Sequence, residues 1–152
     1  MQYIKATKQN LSQIYSLVQE TIKSVYPNYY PQTTVEFFCE LHSEDNILKD
    51  IEAGNVYILL IDNTLVATGS YIDNHITRVY VLHNSRGKGY GRYVMDKLEE
   101  SISYSYSTVY IDSSLPAALF YENRGYKTKK HHEYPLDNNV VLVYEIMEKS
   151  IE

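Results

Sequence analysis

Tryptophan is missing from the 152 residues, cysteine occurs once, and glycine and proline number only six and four. The lone thiol, Cys39, excludes an internal disulfide and any zinc site built on several cysteines. The fold must then rest on an apolar core, compatible with a reducing, cytoplasmic setting. No Cys-His motif accompanies Cys39, which reads as a small buried apolar group rather than a nucleophile. Basic residues are the minority, 14 Lys and Arg against 19 Asp and Glu. The net charge of −5 lacks the excess that displaces counterions from phosphates, so nucleic acid is not an expected partner. The longest apolar run, Val56 to Ile61, is too short to span a bilayer, and Met1 to Ala6 has no basic segment leading into an apolar stretch. Neither a membrane partner nor a signal peptide is expected. Repeats, low-complexity stretches and flexible linkers are also missing, so residues 1–152 read as one domain, long enough to bury roughly 70% of its unfolded surface.

The chain is rich in tyrosine, 17 in all, and 44% hydrophobic. After a strand at Met1 to Ala6, the spacing of Leu11, Ile14, Leu17, Val18, Ile22 and Val25 predicts an amphipathic helix, which the loop Tyr26 to Pro31 ends. Thr33 with Glu36 forms a capping box for a second helix through Phe37, Phe38 and Leu41. Ser43 opens a third helix, and Gly54 stops it. Period-two patterning follows at Val56 to Ile61, Leu65 to Ile72 and His75 to Val81, separated by Asp62-Asn63-Thr64 and Asp73-Asn74, a pattern that predicts an antiparallel meander. Helical spacing returns through Tyr93, Val94, Leu98 and Ile102, followed by a strand at Thr108 to Asp112. Pro116 lies in the first turn of another helix that ends at Gly125. Strands at Tyr126 to His132 and Val140 to Met147 flank Asp137-Asn138-Asn139. The order βααα-βββ-α-β-α-ββ predicts an α/β fold with a mixed sheet and helices on its faces.

The segment Arg86-Gly87-Lys88-Gly89-Tyr90-Gly91-Arg92 sits between a strand and a helix. Its glycines leave backbone N–H groups unshielded, and the helix that begins here turns its positive end toward the same space, an arrangement suited to an anion. Taken alone, it is equally a tight strand-to-helix connection. Neither the P-loop nor the dinucleotide-binding spacing is met. Charge agrees with an anion here: residues 86–130 hold eight basic and five acidic side chains, +3, and the remainder six and fourteen, −8.

This segment resembles the pyrophosphate-binding motif of the GNAT superfamily of N-acetyltransferases, [Gln/Arg]-x-x-Gly-x-[Gly/Ala]. The stretch from Ser114 through Pro116, Ala117, Tyr121 and Gly125 to Tyr126 is similar to the family's Asn-x-x-Ala-x-x-x-Tyr-x-x-x-Gly-Phe pattern, with Ser114 where many members carry Asn. The resemblance implies a mixed, mostly antiparallel sheet of about seven strands whose fourth and fifth members splay apart. It also implies acetyl-CoA as co-substrate, with its pyrophosphate on Arg86, Gly87, Lys88, Gly89, Tyr90, Gly91 and Arg92. The pantetheine arm would run along Val79, Tyr80 and Val81, with Ser114, Ala117, Tyr121 and Arg124 completing the cofactor set. Main-chain N–H near Val79 would stabilise an oxyanion, and Tyr121 would protonate the departing thiolate. Without the motif, Tyr121 reads as a helix tyrosine packed in the core.

The resemblance makes His75 the candidate base, since eleven residues before Arg86 it stands where some members carry a carboxylate that draws the amine's proton through water; read from the residues alone, it is a solvent-facing residue at a strand start. Strict alternation would place His75 with Thr77, Val79 and Val81, away from Ile76, Arg78 and Tyr80. The resemblance points to the first inter-helix loop and the last hairpin for a small-molecule or peptide amine acceptor. Tyr29, Tyr30, Phe38 and Glu133 are the candidate contacts, alongside Tyr26, Phe37, His42, His131, His132 and Tyr134. Such a lining suits a cationic amine, although the aromatics fit equally as core beneath a loop. His131-His132 has no recurring ligand spacing, and no metal is expected. Exposed aromatics and the last strand leave a homodimer open. A sensor that binds acyl-CoA without transfer is the alternative to an enzyme.

Overall fold

A computed structural model describes residues 1–152. The chain runs β1 (Gln2–Lys5), α1 (Leu11–Val25), α2 (Gln32–Leu41), α3 (Glu44–Glu52), β2 (Val56–Ile61), β3 (Thr64–Ile72), β4 (His75–Val81), α4 (Tyr90–Ser103), β5 (Thr108–Ser113), α5 (Ala118–Asn123), β6 (Lys127–Pro135) and β7 (Val141–Ser150). One seven-stranded sheet has the order β1-β2-β3-β4-β5-β7-β6. Every neighbouring pair is antiparallel except β4 and β5, which run parallel and pair only at His75↔Tyr110 and Ile76↔Ile111. The expected mixed, mostly antiparallel sheet is present, and its fourth and fifth strands part after two residue pairs.

Apolar periodicity puts a separate core on each face of the sheet. On one side Ile14, Leu17, Val18 and Ile22 of α1, Val35 and Phe38 of α2, and Ile47 and Ile51 of α3 cover Val56, Ile58, Leu65 and Tyr80. On the other, Val94, Met95, Leu98 and Ile102 of α4 and Tyr121 of α5 cover Leu59, Ala67, Ile76, Val109, Ile111 and Met147. At Gly69 the second layer comes very close: a β-carbon there would lie 2.6 Å from Val94 Cγ1 and 3.0 Å from Leu98 Cδ1. Only glycine lets α4 rest this near β3.

Three local expectations change. Helix α2 starts one residue before Thr33, with the extended Pro31 as its cap, and the Pro31 carbonyl accepts from the N–H groups of Thr34 and Val35 at 3.0 and 3.1 Å. Proline already fixes the entry angle, so the Thr33–Glu36 box is not used. Tyr26–Asn28 is a 3-10 turn rather than open loop, and Leu115–Ala117 is a second one leading into α5. The final hairpin is longer than its hydrophobic pattern, because β6 is exposed along nearly its whole length and carries few apolar residues to mark it. Ser43 caps α3 as expected, accepting from Asn46 N–H at 3.2 Å.

Strand β4 carries an irregularity that alternation cannot anticipate. Tyr71 pairs with Ile76 and Ser70 with Arg78, so Thr77 is an extra residue, a β-bulge. It reverses the phase of the strand. Ile76 joins Val79 and Val81 on the α4 side, while Tyr80 faces α1 to α3. His75 stacks on Tyr110 at 4.3 Å, and both it and Arg78 open into the cavity that Tyr80 lines. The expected separation of His75 from Tyr80 is thereby corrected.

Candidate active site

Past Ile76 the free edge of β4 faces a gap instead of β5, and two cavities meet in that gap. The first, about 450 Å³, is lined by Val79, Tyr80 and Val81 of β4, by Arg86, Gly87, Gly89, Tyr90, Gly91 and Arg92 of the glycine turn, and by Ser114, Ala117, Phe120 and Tyr121. Gly87 and Gly89 have φ of +76° and +85°, the left-handed region in which a side chain is strained. This curls the turn so that Gly89 caps α4, whose leading N–H groups have no acceptor within the helix. Backbone donors and the positive helix end therefore line one end of the cavity.

The second cavity, about 620 Å³, lies between the α2–α3 segment and the strand ends of β4, β5 and β7. Phe37, Phe38, Tyr134 and Tyr144 form aromatic walls, with Phe37 and Tyr134 at 5.7 Å between ring centres. Val79, Tyr80, Tyr26, Ser114, Ala117 and Tyr121 border both cavities. Tyr121 is 6% exposed, and burial pushes its phenol well above the ordinary value, with Tyr26 adding to the effect. It stays an O–H donor across the neutral range. Tyr80 is raised likewise by burial and by Tyr26, whose hydroxyl lies 3.4 Å from its own.

Polar groups are fixed deeper in the larger cavity. Arg78 Nη1 donates to Asp50 Oδ2 at 2.6 Å, and Arg78 Nε donates to His42 Nδ1 at 2.9 Å. Burial, reinforced by the Arg78 charge, lowers His42 to about 3, so its ring is neutral and its remaining Nε2 carries the proton. His75 Nε2 lies 3.3 Å from Asp112 Oδ2 where the strands part.

A family profile described as an acetyltransferase (GNAT) domain matches residues 25–144, from the end of α1 into β7. The chain belongs to the GNAT acetyltransferase family. Solved structures place the whole fold among GNAT proteins. A GCN5-related N-acetyltransferase from Rhodopseudomonas palustris superimposes with a TM-score of 0.88 at 20% identity, covering 98% of this chain and 94% of that one. The paia N-acetyltransferase from Thermoplasma acidophilum, in complex with coenzyme A, gives 0.75 at 18% identity over 98% of each chain. The yncA protein from Salmonella typhimurium, with its cofactor acetyl-CoA, gives 0.72 at 16% identity over 100% of this chain and 94% of that one. No protein of curated function matches by sequence.

Within this GNAT fold most of the expected cofactor residues gather at the smaller cavity, but two stand apart. Lys88 is exposed and outside its lining. Arg124 is held at 2.9 Å by Asp96 and at 3.0 Å by Glu99, which also accepts from Tyr126 Oη and Lys149 Nζ. Its guanidinium secures α5 against α4 and lies outside the lining of the smaller cavity. Among the expected acceptor contacts Phe38 lines the larger cavity, and Tyr29, Tyr30 and Glu133 do not. Tyr29 is exposed; Tyr30 is buried, and its hydroxyl accepts from the Leu115 N–H at 2.7 Å, tying the loop after α1 to the turn before α5. Glu133 is an exposed residue of β6 outside the cavity.

Arg78, Asp50, Asp112 and Phe120 are the site residues the motifs did not single out. A lone arginine between Ile76 and Tyr80 in one alternating row of β4 was the one available signal, since such a row is rarely given a charge without a partner. No group of three or more His, Cys, Asp or Glu side chains is arranged to hold a metal ion, and no helix is long and apolar enough to cross a membrane.

Proposed function

We propose that the protein is an acetyl-CoA-dependent N-acetyltransferase that moves an acetyl group to a primary amine by direct attack. The observation that carries this reading is the shared border of Val79, Tyr80, Ser114, Ala117 and Tyr121 between a cavity ending in an anion cradle and a second, aromatic cavity. Acetyl-CoA would rest its pyrophosphate on backbone N–H groups between Arg86 and Arg92, as the bound coenzymes of the similar proteins suggest, and lay its pantetheine arm along the unpaired edge of β4. The second cavity gives an acceptor room, which a sensor of acyl-CoA does not require.

The amine nitrogen attacks the thioester carbonyl carbon, forming the C–N bond and placing negative charge on oxygen, where a main-chain N–H near Val79 stabilises it. Collapse of this intermediate breaks the C–S bond. Tyr121 Oη gives its proton to the leaving sulfur, and the proton released by the amine passes through water to His75, whose Nε2 lies 3.3 Å from Asp112 Oδ2. Solvent restores both side chains, and the products are an amide and free coenzyme A.

A Tyr121→Phe variant should keep its affinity for acetyl-CoA by calorimetry and lose kcat by about 100-fold, the usual scale for a general acid. Full turnover in this variant would remove Tyr121 from the mechanism. Acetyl-CoA should also raise the melting temperature of the wild type in a concentration-dependent way, and no shift at saturating ligand would overturn the reading itself.

A further inference from the structure

Resting on the N-acetyltransferase reading, we infer that the acceptor amine also carries a carboxylate, which Arg78 binds inside the larger cavity. A guanidinium has five N–H donors. His42 and Asp50 take one each, so three have no acceptor in the protein, although the Arg78 side chain is only 5% exposed and borders the cavity. Burying a charge costs several kcal/mol, and an apolar residue would serve packing alone as well or better. Asp50 and His42 hold the guanidinium in one orientation, and the neutral His42 ring brings no second negative charge to it.

Position and charge agree. Arg78 immediately precedes Val79, the residue nearest the expected reacting carbonyl, and lies in the same row as Tyr80, roughly 7 Å along the strand. A short molecule with an amine at one end and a carboxylate at the other spans that distance. Lys49 lines the same wall, and the two carboxylates of the lining, Asp50 and Asp112, lie against Arg78 and His75, so the remaining N–H donors of Arg78 are left to an incoming acceptor. A second ammonium, as in a diamine, cannot accept from these donors. Glu133, the counter-charge expected for a cationic acceptor, is outside the cavity.

The test measures coenzyme A release by the wild-type chain with free amino acids, ω-amino acids and dipeptides, each beside its carboxamide, and with diamines of matched length. The carboxylates should exceed their carboxamides and the diamines in kcat/KM by about 10- to 100-fold, mainly through KM, the usual weight of a charge-assisted hydrogen bond. Which set is best tells a free amino acid from a peptide terminus. In Arg78→Gln the ratio of carboxylate to carboxamide should fall to near one while acetyl-CoA affinity, measured separately, stays as in the wild type. Where Arg78→Gln does not fold, Arg78→Lys should lower the ratio in part. Carboxamides or diamines used as well as carboxylates, or an unchanged ratio in either variant, overturns the inference and leaves the transferase reading standing. Thermal shift in the presence of coenzyme A reads acceptor binding without turnover: stabilisation by the carboxylate amine but not its carboxamide is expected, and equal shifts overturn the inference. Failure to bind acetyl-CoA would instead defeat the function itself.

Discussion

His42 shows how one side chain can record the cost of building the larger cavity. Its folded value of about 3 lies well below the ordinary 6.5, because burial first and Arg78 second oppose the cation. Below pH 6.5 the unfolded chain takes up a proton that the folded chain refuses. The stability tied to a neutral His42 is therefore complete above pH 6.5 and drains away as pH falls toward about 3, by up to about 1.4 kcal/mol per unit. Denaturant melts between pH 6.5 and 5, above the main carboxylate range, should show this slope in the wild type. His42→Gln, whose carbonyl can still accept from Arg78, should flatten it. An equally steep slope in that variant would assign the loss to other groups. Tyr121 has the opposite character: its proton is held more firmly because of burial, so it enters no such linkage near neutrality and remains ready to donate.

At the scale of elements, the succession of helices and strands along the chain was legible, and the reason is periodicity. The apolar spacing of α1 and α4 survives almost unchanged because each helix buries one continuous stripe, and the three strands of the β2 to β4 meander keep nearly the expected bounds. The glycine turn was legible from its glycines, and Tyr121 was singled out only through the resemblance of its segment to the family's motif, both being patterns confined to a few consecutive residues. The triad around Arg78 was not, since Asp50 and His42 reach it from 28 and 36 positions away across the α3–β4 layer. Nor could alternation reveal the Thr77 bulge, as one inserted residue leaves composition untouched and reverses every face before it. Tyr29, Tyr30 and Glu133 were assigned by belonging to the right loop or hairpin, a resolution too coarse to say which way a side chain turns. The Gly69 contact makes the element-scale packing testable. Gly69→Ala should cost about 1–3 kcal/mol in urea denaturation, because α4 must move off β3. Adding Val94→Ala should recover part of that loss relative to the two single changes, and strict additivity would mean that the helix adjusts without strain.

Across the whole molecule the charge division seen in the sequence is redistributed by folding. Of the eight basic side chains between residues 86 and 130, Arg124 and Lys97 are spent on Asp96, Glu99 and Glu100. Arg86 and Arg92 border the smaller cavity, while Lys127, Lys129 and Lys130 lie along β6 at the open edge of the sheet. Charged residues on such an edge discourage another strand from pairing there. Cys39 borders neither cavity, and burial pushes its thiol up, so it offers no covalent way station for an acetyl group.

The common border of the two cavities gives the proposed transfer a kinetic consequence. On the proposed reading, with Val79, Tyr80 and Tyr121 touching both, donor and acceptor would occupy the protein together before any bond changes. Initial velocities at several fixed acceptor concentrations should give intersecting double-reciprocal lines. Parallel lines, the mark of a modified enzyme released between two half-reactions, would contradict a chamber with two doors and one threshold.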